Sequence, residues 1–269
     1  MTPGILRARV LPPSLLSARG AWFLIERNAV AYRHAWIILI SGFFEPVFYL
    51  FSLGVGMGPL VGDVTVDGHT VGYATFVAPA LLAASAMNGS VYESTINIFS
   101  KLKFAQTYDA VLATPVRPLD IAIGEITWSQ LRGLAYAAVF LAIMAAMGTV
   151  PSWWGLLGLP AAVLIGFAFA GIGMALTTYM KTWQHFEFIT IAMLPLFLFS
   201  ATFFPAEVLP AQVRPLLWLS PLYHGVELLR ALTLGHLHWS VLVHAAVLLV
   251  LAVAGVAVAA RRIGRLLLQ

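Results

Sequence analysis

Six stretches of this chain are too long and too continuously apolar to belong to a water-soluble core. They run over residues 35–56, 73–91, 121–147, 154–178, 188–204 and 240–260. A helix needs about 20 predominantly apolar residues to cross the hydrocarbon of a bilayer, and these runs meet that requirement. With 61% hydrophobic and 10% charged residues, too few polar side chains remain to clothe a soluble globule. The apolar character is unbroken rather than alternating, which argues against the strands of a membrane barrel. Every backbone group in hydrocarbon must be bonded within its own helix. The expected fold is therefore all-α and integral to the membrane. It has six transmembrane helices, an N-terminal interfacial helix, a cytoplasmic coupling helix, and external re-entrant helices before the last span. Residues 1–34 form the tail and elbow, 35–260 one membrane domain, and 261–269 a basic tail.

The cations set the orientation. With the N-terminus inside, the cytoplasmic pieces hold every lysine and arginine except Arg132, Arg214 and Arg230. The positive-inside rule then puts both termini in the cytoplasm of a bacterial-type plasma membrane. The net charge of +4 thus reflects membrane orientation rather than a nucleic-acid partner, and membrane lipids are the surroundings expected. The absence of cysteine excludes disulfides, thiolate metal sites and cysteine nucleophiles. The arginine-rich first 33 residues lack the apolar core and small-residue site of a cleavable signal.

Three pieces do not span. Leu15, Trp22, Leu24, Ile25 and Val30 alternate with charges over 14–33, as in a helix lying in the interface. Ile98, Phe99, Leu102, Tyr108 and Leu112 recur at helical spacing in the cytoplasmic segment, which Pro115 and Pro118 end. Asp120 and Glu125 follow in the first turns of the third span, where negative charge suits the helix dipole. The apolar external stretch 205–238 reads as short helices dipping into the outer leaflet.

Chemistry-bearing clusters are sparse. The glycine-rich stretches 54–58 and 171–173 lack the Lys-Ser/Thr ending of a phosphate cradle and read as close helix packing. His236 and His238, with His244 beyond, read as interfacial anchors, so no metal is expected. Lys181, His185 and Glu187 read as a polar turn, and no catalytic residue is assigned. Two charges lie inside spans, Glu45 before Pro46 and Arg132. Each costs about 2.5–3.5 kcal/mol at a helix centre, so partners are expected. Both sit about eleven residues, or roughly 16 Å, from the cytoplasmic start of their spans, which predicts an ion pair between them.

Several motifs carry a family resemblance. The first span holds Glu45-Pro46 followed by Tyr49-Leu50-Phe51 and Gly54, Gly56 and Gly58. Ser85, Met87 and Tyr92-Glu93-Ser94 follow, then Asp120-Ile121 with Gly124-Glu125. The fifth span holds Pro195-Leu196-Phe197 and Phe204-Pro205, and the outer segment holds Ser220-Pro221-Leu222-Tyr223-His224-Gly225 with Glu227 and Arg230. In this order, over nearly the whole chain, the motifs resemble the ABC-2 class of transporter permeases, within it the nodulation-factor exporter (NodJ-like) type, close to the daunorubicin-resistance permeases. Val116-Arg117-Pro118 and the loop 59–72 depart from the pattern and leave the substrate open.

The resemblance implies a homodimer of permeases working with two ATP-binding-cassette ATPase subunits, and export of an amphipathic lipo-oligosaccharide, glycolipid or drug. ATP and Mg would sit on the partner ATPase, with no cofactor on this chain. Coupling to that partner falls to Ile98, Phe99, Leu102 and Tyr108. The substrate path, carried over from spans two and five, comprises Ser85, Met87, Asn88, Phe197, Phe199, Thr202 and Phe203. An intramembrane lipid-modifying enzyme is the alternative. It would need convergent acid, base or metal groups.

Overall fold

The computed structural model describes residues 18–32, 44–66 and 68–267. The expectations for the N-terminal tail before 18, for the opening of the first span at 35–43 and for residues 268–269 lie outside these. Helix α1 is Ala18–Tyr32 and α2 is Phe44–Val61; a hairpin of β1, Asp63–Val66, and β2, His69–Gly72, follows. Helix α3 runs Tyr73–Phe104, α4 Thr107–Leu112, α5 Pro118–Ala146 and α6 Trp153–Thr177. The rest comprises α7, His185–Leu198; α8, Arg214–Leu217; α9, Pro221–Leu234; and α10, Ser240–Leu267.

Five of these helices (α2, α3, α5, α6 and α10) are long and apolar enough to cross a membrane, and α7 is a shorter apolar helix. The chain is thus an all-α membrane protein, apart from the hairpin. In the hairpin Asp63 pairs with Gly72 and Val66 with His69, and Gly68 takes the positive φ that the turn demands.

Close packing rests on glycine. A Cβ on Gly255 of α10 would lie 2.5 Å from the carbonyl carbon of Gly171 in α6, so the two backbones touch. Gly173 lies against the Ser94 side chain and Gly54 against the Ala74 methyl, whereas Gly56 and Gly58 face open space. Without a hydrophobic drive between helices in lipid, such contacts supply van der Waals attraction.

Two segments depart from expectation. The second span does not stop at Val91, because its helix continues to Phe104 through two π-helical stretches, Glu93–Asn97 and Ser100–Phe104. No Gly or Pro interrupts that stretch, and Thr95 Oγ1 donates back to the Val91 carbonyl at 2.6 Å where the helix widens. Only Gln106, at φ 46°, turns the chain into α4.

The fifth span is shorter than 188–204. Helix α7 has 14 residues, about 21 Å at 1.5 Å per residue, and gives way to irregular chain at Phe199. There Ala201 adopts φ 56°. Ser200, Ala201 and Thr202 are all fully buried, as non-helical backbone at this depth must be.

A large apolar core joins α3, α5, α6, α9 and α10. A second cluster gathers Leu24 of α1, Leu102, Tyr108 of α4, Ile121, Met174 and Ile263 at one end of the bundle. Elbow, coupling segment and C-terminal helix end therefore meet on one side.

Candidate functional site

The α1–α5 contact is built by the motif Asp120-Ile121-Ala122-Ile123-Gly124-Glu125. Pro118 opens α5, and Asp120 accepts from the Arg117 amide at 3.0 Å in a capping box. One turn on, a Cβ on Gly124 would lie 2.9 Å from the Ala21 carbonyl oxygen, so glycine lets α1 lie against α5. Glu125 then holds what arrives. Its side chain is 1% exposed and accepts from Arg27 Nη2 at 3.0 Å, Lys101 Nζ at 2.7 Å and Asn28 Nδ2 at 3.0 Å. One carboxylate thus ties the elbow helix, the end of α3 and the start of α5 together. Tyr108 of α4 is buried beside it. Burial, and then the Glu125 charge, hold its phenol well above the ordinary tyrosine range. Its hydroxyl sits in the field of Glu125.

The four residues expected to touch the ATPase need correcting. Ile98, Phe99, Leu102 and Tyr108 are all buried within this chain, so they fasten the coupling segment rather than present it. The apolar period was real, but its partners are α1, α5 and the α6–α7 turn. Phe99 packs edge-on against Trp183 and Phe186, each with centroids 5.1 Å away. The faces left outward are Phe104, Ala105, Gln106, Asp109, Ala110 and Ala113.

Arg132 does not pair with Glu45. Its ion-pair partner is Glu93, and the two side chains are 14% and 15% exposed. The depth argument missed Glu93 because α3 was expected to have left the span by Val91, whereas the continuous helix carries Glu93 alongside α5. Glu45 lies instead at a chamber of about 350 Å³ between α2, α3, α5 and α7. Tyr49, Ser85, Asn88, Tyr92, Tyr136 and Phe197 share that lining. With Thr190, a carboxylate, three phenols, two hydroxyls and an amide stand there among aliphatic and aromatic walls, which suits an amphipathic guest.

Of the expected path residues, Ser85, Asn88 and Phe197 line this chamber. Phe203 supports it, edge-on to Phe197 at 5.0 Å. Met87 points into the core, Thr202 is fully buried in the irregular segment, and Phe199 is exposed away from the chamber. The helical faces explain Met87, two residues from Ser85 and so on the opposite side of α3. The break in α7 explains the other two. Tyr49 and Tyr136 join the chamber unforeseen from the sequence, beside Glu45, whose charge within a span had suggested either an ion pair or a polar path lining.

At the opposite end, α9 caps the bundle. Arg230, its side chain 4% exposed, donates to the Ala201 carbonyl at 2.8 Å, pairs with Glu227 at 2.5 Å and lies 4.1 Å over the Phe76 ring. Ser220 caps α9 and meets Ser200 at 2.6 Å. The break after α7 is therefore clamped to α9 at two adjacent residues. His236, His238 and His244 line one cavity, but among the described residues no group of three such side chains is placed to hold a metal. His244 meets His224 at 2.8 Å between Nδ1 atoms, while His236 lies tilted against His69 with ring centroids 4.3 Å apart. Because His224 Nε2 donates to the Trp218 carbonyl, its Nδ1 accepts and His244 Nδ1 donates.

Residues 19–234 match the family model described as ABC-2 type transporter. The chain is 33% identical to nodulation protein J of Rhizobium leguminosarum bv. viciae over 88% of its length and 90% of that protein's. It is 33% identical to nodulation protein J of Sinorhizobium fredii (strain NBRC 101917 / NGR234), over 91% and 92%. A weaker likeness, 25% over 60% of this chain and 44% of the other, is to the probable multidrug ABC transporter permease YbhR of Escherichia coli (strain K12). The glycine-and-glutamate step of α5, the chamber and the clamped outer helix all lie within the matched stretch, and the chain belongs to the ABC-2 transporter family.

Proposed function

We propose that this chain is the permease subunit of an exporter that carries an amphipathic molecule, a lipo-oligosaccharide, glycolipid or drug, out of the cytoplasm or inner leaflet. A separate pair of ATP-binding-cassette ATPases drives it. Two copies of the chain form the pathway in a bacterial-type plasma membrane, with both termini cytoplasmic. The resemblance to the nodulation-factor exporter type supports the lipo-oligosaccharide reading, and the likeness to a probable multidrug ABC transporter permease supports the drug alternative.

The chamber carries the reading. It joins one carboxylate and three phenols to apolar walls between α3 and α7, and α7 meets the core only through half-buried side chains such as Ile189, Met193, Leu196 and Phe197. ATP closure on the partner subunits would press on the outward face of α4. Phe99 passes that displacement to Trp183 and Phe186 at the start of α7, and α7 is a wall of the chamber. The chemistry is thus a change of packing rather than of covalent bonds.

The test is reconstitution of the chain with its ATPase in proteoliposomes. Ala110→Glu and Ala113→Glu, on the exposed face, should leave the permease folded and abolish its stimulation of ATP hydrolysis. Normal stimulation by both would reject this docking face, and substrate turnover without any ATPase would reject transport.

A further inference from the structure

A second cavity, sharing Met193 with the chamber, lies between α3, α6 and α7. Its volume is about 340 Å³, and it is lined by apolar side chains including Phe169, Ile172, Leu176, Ile189, Ala192 and Leu196. It follows α7 from His185 to Leu196, about 16 Å at 1.5 Å per residue. Its walls are almost wholly apolar along that length, which suits a hydrocarbon chain. Pro221 of α9 closes one end.

The other end is cationic. Tyr179 lines the mouth, and Arg262 of α10 stacks on its ring at 4.0 Å. Arg262 Nε is buried without a hydrogen-bond partner, and exposed Lys181 stands two residues beyond Tyr179. His185, bonded to the Thr182 hydroxyl at 2.9 Å, completes the rim. The nearby carboxylate, Glu187, is two residues further along α7 and so about 200° round the helix from His185. A basic mouth on an apolar slot between membrane helices is the arrangement that selects an anionic lipid.

We propose that this crevice binds one acyl chain of an anionic phospholipid whose phosphate rests at Lys181 and Arg262. The occupant belongs to the leaflet on that side. It completes the packing of α7, none of whose own side chains is buried. Bound lipid therefore sets how freely the chamber wall moves.

The experiment uses the full chain in phosphatidylcholine nanodiscs containing phosphatidylglycerol with a photoreactive group in its acyl chain. Cross-links are mapped by mass spectrometry. Labelling should concentrate several-fold on Ile172, Leu176, Ile189 and Ala192 over the outward residues Leu249, Val250 and Val253 of α10. Unlabelled phosphatidylglycerol should compete, and phosphatidylcholine should not. Ala192→Trp, which fills the slot, should remove the excess. Independently, Lys181→Gln with Arg262→Gln should keep the label but lose the preference for the anionic lipid. Equal labelling of crevice and α10, or equal competition by both lipids in the unmutated protein, would overturn the proposal. Neither readout needs transport or an ATPase, so either result leaves the permease reading untouched.

Discussion

Arg132 of α5 and Glu93 of α3 form an ion pair inside the helix bundle, each side chain about one-seventh exposed. The pair joins two helices whose amino acids lie far apart in sequence, and it frees Glu45 to serve the chamber. Removing one partner leaves the other charge in a poorly hydrated site. Glu93→Gln and Arg132→Gln should each cost about 2–4 kcal/mol. The double variant should lose less than the sum. Glu45→Gln should leave stability within about 0.5 kcal/mol and change transport instead. Thermal unfolding in detergent checks all four, and additive losses for the pair would sever it.

Glu125 answers to three partners at once, so Glu125→Gln strands Arg27 and Lys101 together. A loss of about 3–5 kcal/mol is expected. Hydrogen exchange should rise first in α1, whose hold on α5 depends on that carboxylate. Unchanged protection of α1 would show that Leu24 and Gly124 suffice.

Tyr108 separates packing from polarity. Its hydroxyl is a small part of a large buried side chain, so Tyr108→Phe should shift stability by no more than about 1.5 kcal/mol. Tyr108→Ala should cost about 3–5 kcal/mol. The phenol is held neutral in the fold, with its pKa raised above the ordinary value of 10.0. Above that pH the unfolded chain loses this proton while the folded chain keeps it, so stability falls as pH rises. Stability measured from neutral pH to beyond that value should fall less steeply in Tyr108→Phe than in the parent. Identical slopes would remove Tyr108 from the titration.

Phe99→Asp tests the correction made to the coupling residues. Were Phe99 a docking residue, the variant would fold and fail only with the ATPase. Being buried against Trp183 and Phe186, it should instead lower the folded yield, with a cost of about 3–5 kcal/mol from lost packing and a desolvated carboxylate. Size-exclusion chromatography of the purified permease alone distinguishes the two.

The α6–α10 crossing has no room for a methyl group. Gly255→Ala should cost about 1–3 kcal/mol, because the new Cβ meets backbone rather than a movable side chain. Gly56→Ala, which meets nothing within 4 Å, should be neutral or gain up to about 1 kcal/mol. Melting of the two variants side by side gives the answer.

The apolar runs made the membrane helices legible, because lipid imposes a length and a composition that few other folds share. The motif around Gly124 and Glu125 was legible as a resemblance, but its physics needed α1 in place. Glu93 was misplaced because hydropathy marks where a span leaves the hydrocarbon, not where its helix ends. The break at Ala201 left no local signal either. No glycine marks the left-handed residue, and what sustains it, Arg230, is 29 residues away. His224 and His244 lie on different helices, so only the fold could show that they meet.

The carboxylate of Glu125 has a consequence for how such chains diverge. Exchange of Arg27, Asn28 or Lys101 alone leaves a charge or amide buried without its complement, whereas exchange of the whole set for apolar residues of similar volume need cost little. Selection therefore acts on four positions in three helices as one heritable unit. Related chains should carry the complete quartet or a wholly different filling, and intermediates should be rare.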